Sequence, residues 1–128
     1  MIKVVMTWKR NPRRTPEECE RHYLDQHTKL ALASIEAGTG LRAYVQNRVV
    51  GCQWHNFNSP ESVEGEPDFD RYVELYFDDA EAMATSFAGA DMTAIFADQV
   101  NFMDTEIEGS LRVYRVEETV VLGTRPSR

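Results

Sequence analysis

The chain is poor in the features that mark several large functional classes. It holds only two cysteines, Cys19 and Cys52, too few for a disulfide framework. No apolar run reaches membrane-spanning length, and the first residues lack the apolar stretch of a secretion signal. Lysine and arginine total 14 against 21 aspartates and glutamates, a formal net charge of -7. The only basic cluster, Lys9-Arg10 with Arg13-Arg14, sits beside the turn-like "NPRRTP" and reads as a solvated loop, so a nucleic-acid partner is not expected. There is no glycine-rich phosphate loop, no nucleophile–base–acid triad, and no Cys/His spacing of a zinc site. From these absences a cytoplasmic protein with reduced thiols is expected, with neither a membrane nor a nucleic acid as partner.

What remains is an ordinary globular composition, 42% hydrophobic and 27% charged over 128 residues, enough for one domain spanning 1–128. Residues 2–8, "IKVVMTW", are rich in β-formers and read as a first strand. In "TPEE", Thr15 is an N-cap, Pro16 suits the first helical position and Glu18 completes a capping box. The helix should run to Ser34 or Ile35, where "EAGTG" stops it, with Gly38 and Gly40 favouring chain reversal. A second strand is expected over 41–50. The stretch 51–69, rich in glycine, proline, serine, asparagine and acids, is too long for a simple hairpin turn and reads as an irregular loop, either functional or disordered. A third strand over 71–77 follows, then helical segments starting at Asp78-Asp79 and continuing through "ADMTAIFADQVNFM", and a last strand over 111–122.

The order β-α-β-β-α-β is that of a ferredoxin-like split βαβ unit, an α+β fold with an antiparallel four-stranded sheet and helices on one face. The other face, carrying Val5 and Thr7 in the first strand, also needs cover. A second copy of the sheet would provide it, giving a homodimer.

"RHYLDQHTKL", residues 21–30, contains two of the three histidines. On a regular helix, residues four apart drift by only about 40°. Cys19, Tyr23 and His27 therefore stack on one face, which Leu30 and Ser34 extend. His22, five residues before His27, is turned by about 140° and points well away from it. His27 thus faces the sheet. Alternation along strand two places Tyr44, Gln46 and Arg48 on one face, and along strand three Tyr72, Glu74 and Tyr76. Tyrosines and a carboxylate opposite a histidine describe a lined pocket. The alternatives are a hydrogen-bonded core histidine, and a polar strand face that is solvated or lies at a dimer seam.

The chain resembles the EthD family of dimeric α+β barrels, and in particular its RedY-like members. That family's helix carries an aromatic, two adjacent aromatics three and four residues on, a histidine four further, and a Pro-Leu-like pair. His27, Tyr23 and Leu30 match, while Cys19, His22 and Lys29 depart from it. "GLRAYVQNRV" with Tyr44, Gln46 and Asn47, "YVELYFDDAEAM" with Glu74 and Phe77, and "FADQVNFMD" with Asp98 and Phe102 are similar to later family segments. The resemblance implies small-molecule isomerases, cyclases or accessory proteins of natural-product and degradation pathways, working without metal or organic cofactor.

Together these readings give a cofactor-independent proton-transfer enzyme, a cyclase, isomerase or dehydratase, acting on a small apolar aromatic or carbonyl-bearing metabolite. His27 is the expected general base or acid, with Glu74 orienting it or taking the complementary proton role. Tyr23, Tyr44 and Tyr76 would donate hydrogen bonds to a developing enolate or phenolate, and Gln46 would line the same pocket. Trp8 and Phe77 would supply apolar surface, and Trp54 and His55 on the long loop would close over the ligand. Two rivals are a cofactorless monooxygenase and a non-catalytic protein that shelters a pathway intermediate.

Overall fold

A computed structural model describes residues 1–35, 40–88 and 92–124. In chain order the elements are β1 (Ile2–Trp8), α1 (Pro16–His22), a π-turn (Tyr23–His27), α2 (Thr28–Ile35), β2 (Leu41–Arg48), β3 (Gln53–His55), β4 (Ser62–Glu64), β5 (Arg71–Phe77), α3 (Ala80–Ala88), α4 (Met92–Asp98), a 3-10 turn (Gln99–Asn101) and β6 (Arg112–Val116). Strands β2, β5, β1 and β6 form one antiparallel sheet in that order, the α+β ferredoxin-like arrangement.

Register decides which side chains meet the helices. Val4 lies opposite Leu75, Met6 opposite Val73, and Tyr44 opposite Leu75. Side chains alternate across a sheet, so Val4, Met6, Trp8, Tyr44, Gln46, Val73, Leu75 and Phe77 share the helix-covered face. There Val4, Trp8, Val73, Leu75 and Phe77 form the buried core with Cys19 and Tyr23 from the first helix and with Phe102 and Met103. Lys3, Val5, Asn47, Tyr72, Glu74, Tyr76 and Tyr114 take the opposite face.

The first helix starts as its sequence dictates. The Thr15 hydroxyl accepts from the Glu18 amide at 3.1 Å, the Glu18 carboxylate accepts from the Thr15 amide at 3.1 Å, and Pro16 holds the first position. After one regular segment it widens: the Thr28 amide donates to the carbonyl of Tyr23, five residues back, and the Thr28 hydroxyl donates to the same oxygen at 2.8 Å. A wider turn advances fewer degrees per residue and absorbs the drift of an i, i+4 row. Cys19, Tyr23, His27 and Ala31 are consequently all buried. The expected continuation through Leu30 and Ser34 is replaced by Ala31, and both of those residues are only half-buried.

Two boundaries differ from expectation. The stretch 51–69 is not wholly irregular; β3 and β4 pair within it as a separate two-stranded hairpin. The last strand stops at Val116 because its partner there is Lys3, one residue from where β1 begins, so pairing runs out. Gly40 has φ of 89° and a Cβ there would stand 2.3 Å from that of Ala82, which explains glycine before β2. Gly38 and the junction at 89–91 lie outside the described residues.

Candidate functional site

Between the π-turn, α3, α4 and the helix-covered sheet face lies a cavity of about 270 Å³. Its walls are mostly apolar, with Trp8, Leu75, Ile95 and Phe102 among them, and Phe96 and Val113 reach it from the exposed side. His27, Tyr23, Tyr44 and Gln99 are its polar lining. An apolar hollow with a few convergent polar groups is the usual form of a small-molecule site.

His27, 8% exposed, is held by a residue 71 positions later. Its Nδ1 lies 2.9 Å from Oδ2 of Asp98, the last residue of α4. The other oxygen, Oδ1, lies 2.8 Å from His22 Nε2 and accepts from Asn101 Nδ2 at 3.0 Å. Burial alone would raise the Asp98 pKa, but the bonds from His22, His27 and Asn101 hold it below the usual carboxylate value. An ionised carboxylate only accepts, so the ring nitrogens facing it carry hydrogen. Neutral His27 is then protonated on Nδ1 and keeps its lone pair on Nε2. Burial lowers the His27 pKa, with the Asp98 contact opposing it, so the neutral, basic form is favoured near pH 7.

The aromatic frame fixes the ring. The Phe102 centroid stands 4.5 Å from that of His27, Tyr23 stacks on His27 at 6.1 Å, interplanar 24°, and Tyr23 and Phe102 touch each other at 5.3 Å, so the three rings form one cluster. Trp8 meets Tyr23 edge-on at 4.9 Å. Tyr23 is 2% exposed, and among the described residues no well-formed hydrogen bond reaches its hydroxyl, although Tyr44 and Gln46 stand beside it. Burial, and then the neighbouring Tyr44, raise its phenol pKa, so it remains a neutral donor. Gln46 donates to Thr28 Oγ1 at 2.8 Å and approaches Tyr44 Oη at 3.5 Å, tying strand β2 to the π-turn. On the far side of the Tyr23 ring, the Arg71 guanidinium sits 4.7 Å from the centroid and is paired with Glu20. Cys19, on the same helix face, is buried and its thiol pKa is raised by that burial, so it is an unreactive packing group. Among the described residues no three His, Cys, Asp or Glu side chains are grouped to hold a metal ion.

The structure thus brings together His27, Tyr23, Tyr44 and Trp8, with Gln46 alongside and Phe77 in the core beneath. It does not bring Glu74 or Tyr76 to His27. Both project from the opposite sheet face, where Lys3 pairs with Glu74 at 2.7 Å and with Glu118 at 3.0 Å and lies over the Tyr76 ring at 5.3 Å. Alternation within β5 was read correctly, but Val73, Leu75 and Phe77 hold the helix-covered face and Glu74 and Tyr76 therefore cannot. Trp54 and His55 are likewise away from the cavity: they lie on β3, exposed, and the Trp54 indole packs over Gly65, where a Cβ would come within 2.0 Å of it. The carboxylate beside His27 is that of Asp98, not that of Glu74.

His22 was expected to point away from His27, and the π-turn overturns that. Fewer degrees per residue bring positions 22 and 27 round to one carboxylate. No sequence rule announces a π-turn. The available signals were the Asp98 and Phe102 positions within "FADQVNFMD", which alone did not specify a contact.

The EthD domain model matches residues 11–106, three quarters of the chain. Comparison with curated proteins yields no match. Among solved structures, an ethyl tert-butyl ether D (EthD) family protein of Bacillus halodurans is 24% identical, with 93% of this chain and 99% of that one covered and a TM-score of 0.64. An EthD-like protein of Ralstonia eutropha is 17% identical, covering 97% and 96% with a TM-score of 0.59. A dimeric ferredoxin-like protein of unknown function from Thermobifida fusca is 15% identical, covering 90% and 88% with a TM-score of 0.53. At these identities the structural likeness is one of fold, and the domain match settles the family: this chain belongs to the EthD family.

Proposed function

We propose that the cavity is the active site of a cofactor-independent proton-transfer enzyme, a cyclase, isomerase or dehydratase. Its substrate class is a small apolar metabolite with an aromatic ring or an activated carbonyl, and its setting is natural-product or degradation chemistry in the cytoplasm. The observation that carries this reading is the Asp98–His27 pair: a half-buried carboxylate takes Nδ1 and leaves the Nε2 lone pair of a cavity-lining imidazole as the base. His27 would remove a proton adjacent to the carbonyl. Asp98 would stabilise the imidazolium that forms, as a fixed negative charge does in a dry site. Tyr23, whose buried hydroxyl has no well-formed hydrogen bond among the described residues, would donate to the oxygen on which charge develops. His27 would then return the proton at the new position, so no external acid is consumed. Trp8 and Phe102 would hold the apolar body of the substrate.

The chain would work as a homodimer. The sheet face away from the helices carries Val5, Tyr72 and Tyr114 together with the Lys3–Glu74 pair, and a second sheet would cover it.

The test is a screen of small aromatic and β-dicarbonyl compounds for solvent deuterium exchange catalysed at a carbon acid, comparing the wild type with His27→Asn. Exchange that depends on His27 supports the reading. Exchange no faster than in buffer for every compound that binds the cavity would reject it and make the chain a carrier.

A further inference from the structure

We propose that His22 is a positioning residue that sets the base strength of His27 through the Asp98 carboxylate the two imidazoles share. The inference rests on the reading of His27 as the proton-transfer group, and it concerns a residue which the sequence alone turned away from the site.

Three observations carry it. First, the contacts are of hydrogen-bond length on both oxygens: His22 Nε2 to Oδ1 at 2.8 Å and His27 Nδ1 to Oδ2 at 2.9 Å. Second, the two imidazoles differ in surroundings. The His22 side chain is 25% exposed and that of His27 10%, so solvent reaches one and the other faces the cavity. Third, the helix departs from its regular form over Tyr23–His27, the five residues whose widening brings the two rings to one carboxylate. Such turns cost helix regularity and concentrate at functional sites.

The physical consequence is competition. One carboxylate stabilises one imidazolium well, and a second positive charge beside it is disfavoured. Protonating His22 therefore weakens His27 as a base, and the cavity's chemistry is throttled by a group outside it. The groups around the pair are few. Asp98 faces both rings from α4, with Asn101 donating to it at 3.0 Å and Arg14 joined to Asn101 at 3.4 Å. Phe102 stacks on His22 at 6.2 Å and packs on His27 at 4.5 Å. On the helix itself Glu18 stands one turn before His22, Asp25 lies between the two histidines, and Tyr23 flanks His27.

The experiment is an NMR titration of the imidazoles in the full chain, with His55→Gln to leave only these two. His22→Gln keeps a donor for Asp98 but cannot become charged. His22→Lys keeps a donor that is always charged. The competition requires the His27 midpoint to lie higher in His22→Gln than in His22→Lys, by about half a unit or more. The acid limb of kcat/KM moves with it. A purely structural His22 would give the two variants the same His27 midpoint, and that result, or the reverse order, overturns the proposal. If a variant fails to fold, the parent chain decides: coupling requires the His27 signal to show a second inflection at the His22 midpoint, and a single inflection refutes it. The NMR readouts need no turnover, so failure to find a substrate leaves the coupling standing, and a flat titration leaves the role of His27 standing.

Discussion

Nδ1 of His27 stands 2.9 Å from Oδ2 of Asp98 across 71 residues of chain, joining the first helix to the end of the last one. The pair fixes both the tautomer and the aim of the imidazole, and the adjoining cavity is what separates His27 from a histidine that merely fills a core. A core histidine needs a partner but no adjoining cavity; His27 has both. If it transfers the proton, His27→Ala and His27→Asn should each lose about a hundredfold to ten-thousandfold in kcat, the range for a general acid–base group. Asparagine still bonds Asp98 but cannot exchange a proton near neutrality. Near-normal rates in His27→Asn, with folding confirmed by near-ultraviolet circular dichroism, would reduce His27 to a positioning group.

Asp98→Asn separates orientation from mere contact. The amide would donate to Nδ1 and so favour hydrogen on Nε2, which removes the lone pair from the cavity. Expected are a kcat loss of about a hundredfold or more and a switch of tautomer visible in the imidazole nitrogen shifts. Unchanged nitrogen shifts would show that Asp98 does not choose the tautomer.

Much of this was legible in the sequence because local rules and alternation are local. Thr15, Pro16 and Glu18 specify the helix start by chemistry confined to four residues. The β-α-β-β-α-β order specifies the sheet. The inward row of Cys19, Tyr23 and His27 follows from helical spacing, and Tyr44 with Gln46 from strand alternation. Alternation tells which residues share a face but not which face the helices cover, and that binary choice misplaced Glu74 and Tyr76. The register with β1, Val4 against Leu75, is what resolves it. The site's other half, Asp98 and His22, depends on a contact between distant segments and on a π-turn whose cause is partly the Thr28 hydroxyl bonding the Tyr23 carbonyl. Neither has a periodic signature. Trp54 and His55 drew attention as large side chains in a long loop, and that loop instead makes a hairpin of its own.

The pH dependence of stability has a definite sign. In the fold the His27 pKa is below its usual 6.5 and the Asp98 pKa is below its usual 3.8. Both groups therefore bind protons more readily when unfolded, so stability rises with pH. The His27 contribution is complete above pH 6.5 and is lost as pH falls through that value towards its folded pKa. The Asp98 contribution disappears only below pH 3.8. Thermal unfolding from pH 8 to pH 5 should show Tm falling on acidification, and His27→Gln should flatten the slope. An equally steep slope in that variant would assign it to other groups.

The outer sheet face makes the oligomer testable. Light scattering at micromolar concentration should give the mass of a dimer. Tyr114 pairs with Val5 in the middle of that face and is 43% exposed, so Tyr114→Asp should shift the population towards monomer. A parent chain that scatters as monomer at those concentrations would refute the assembly.

Tyr23→Phe gives the sharpest division between stability and ligand recognition. A buried hydroxyl without a partner costs folding about 1–3 kcal/mol, because it leaves water without gaining a bond. Removing the oxygen while keeping the ring preserves the edge contact with Trp8 at 4.9 Å and the stack with His27. Stability should therefore be unchanged or increase by about 1 kcal/mol in denaturant titration. Recognition should move the other way. If the hydroxyl donates to the substrate oxygen that gains charge, kcat/KM should fall about a hundredfold, with most of the loss in kcat because the bond strengthens as charge develops. A loss of stability would mean that Tyr23 has a partner in the folded chain. Undiminished kcat in a stabilised Tyr23→Phe would place the developing charge elsewhere, with Tyr44 the next hydroxyl on the cavity wall to remove.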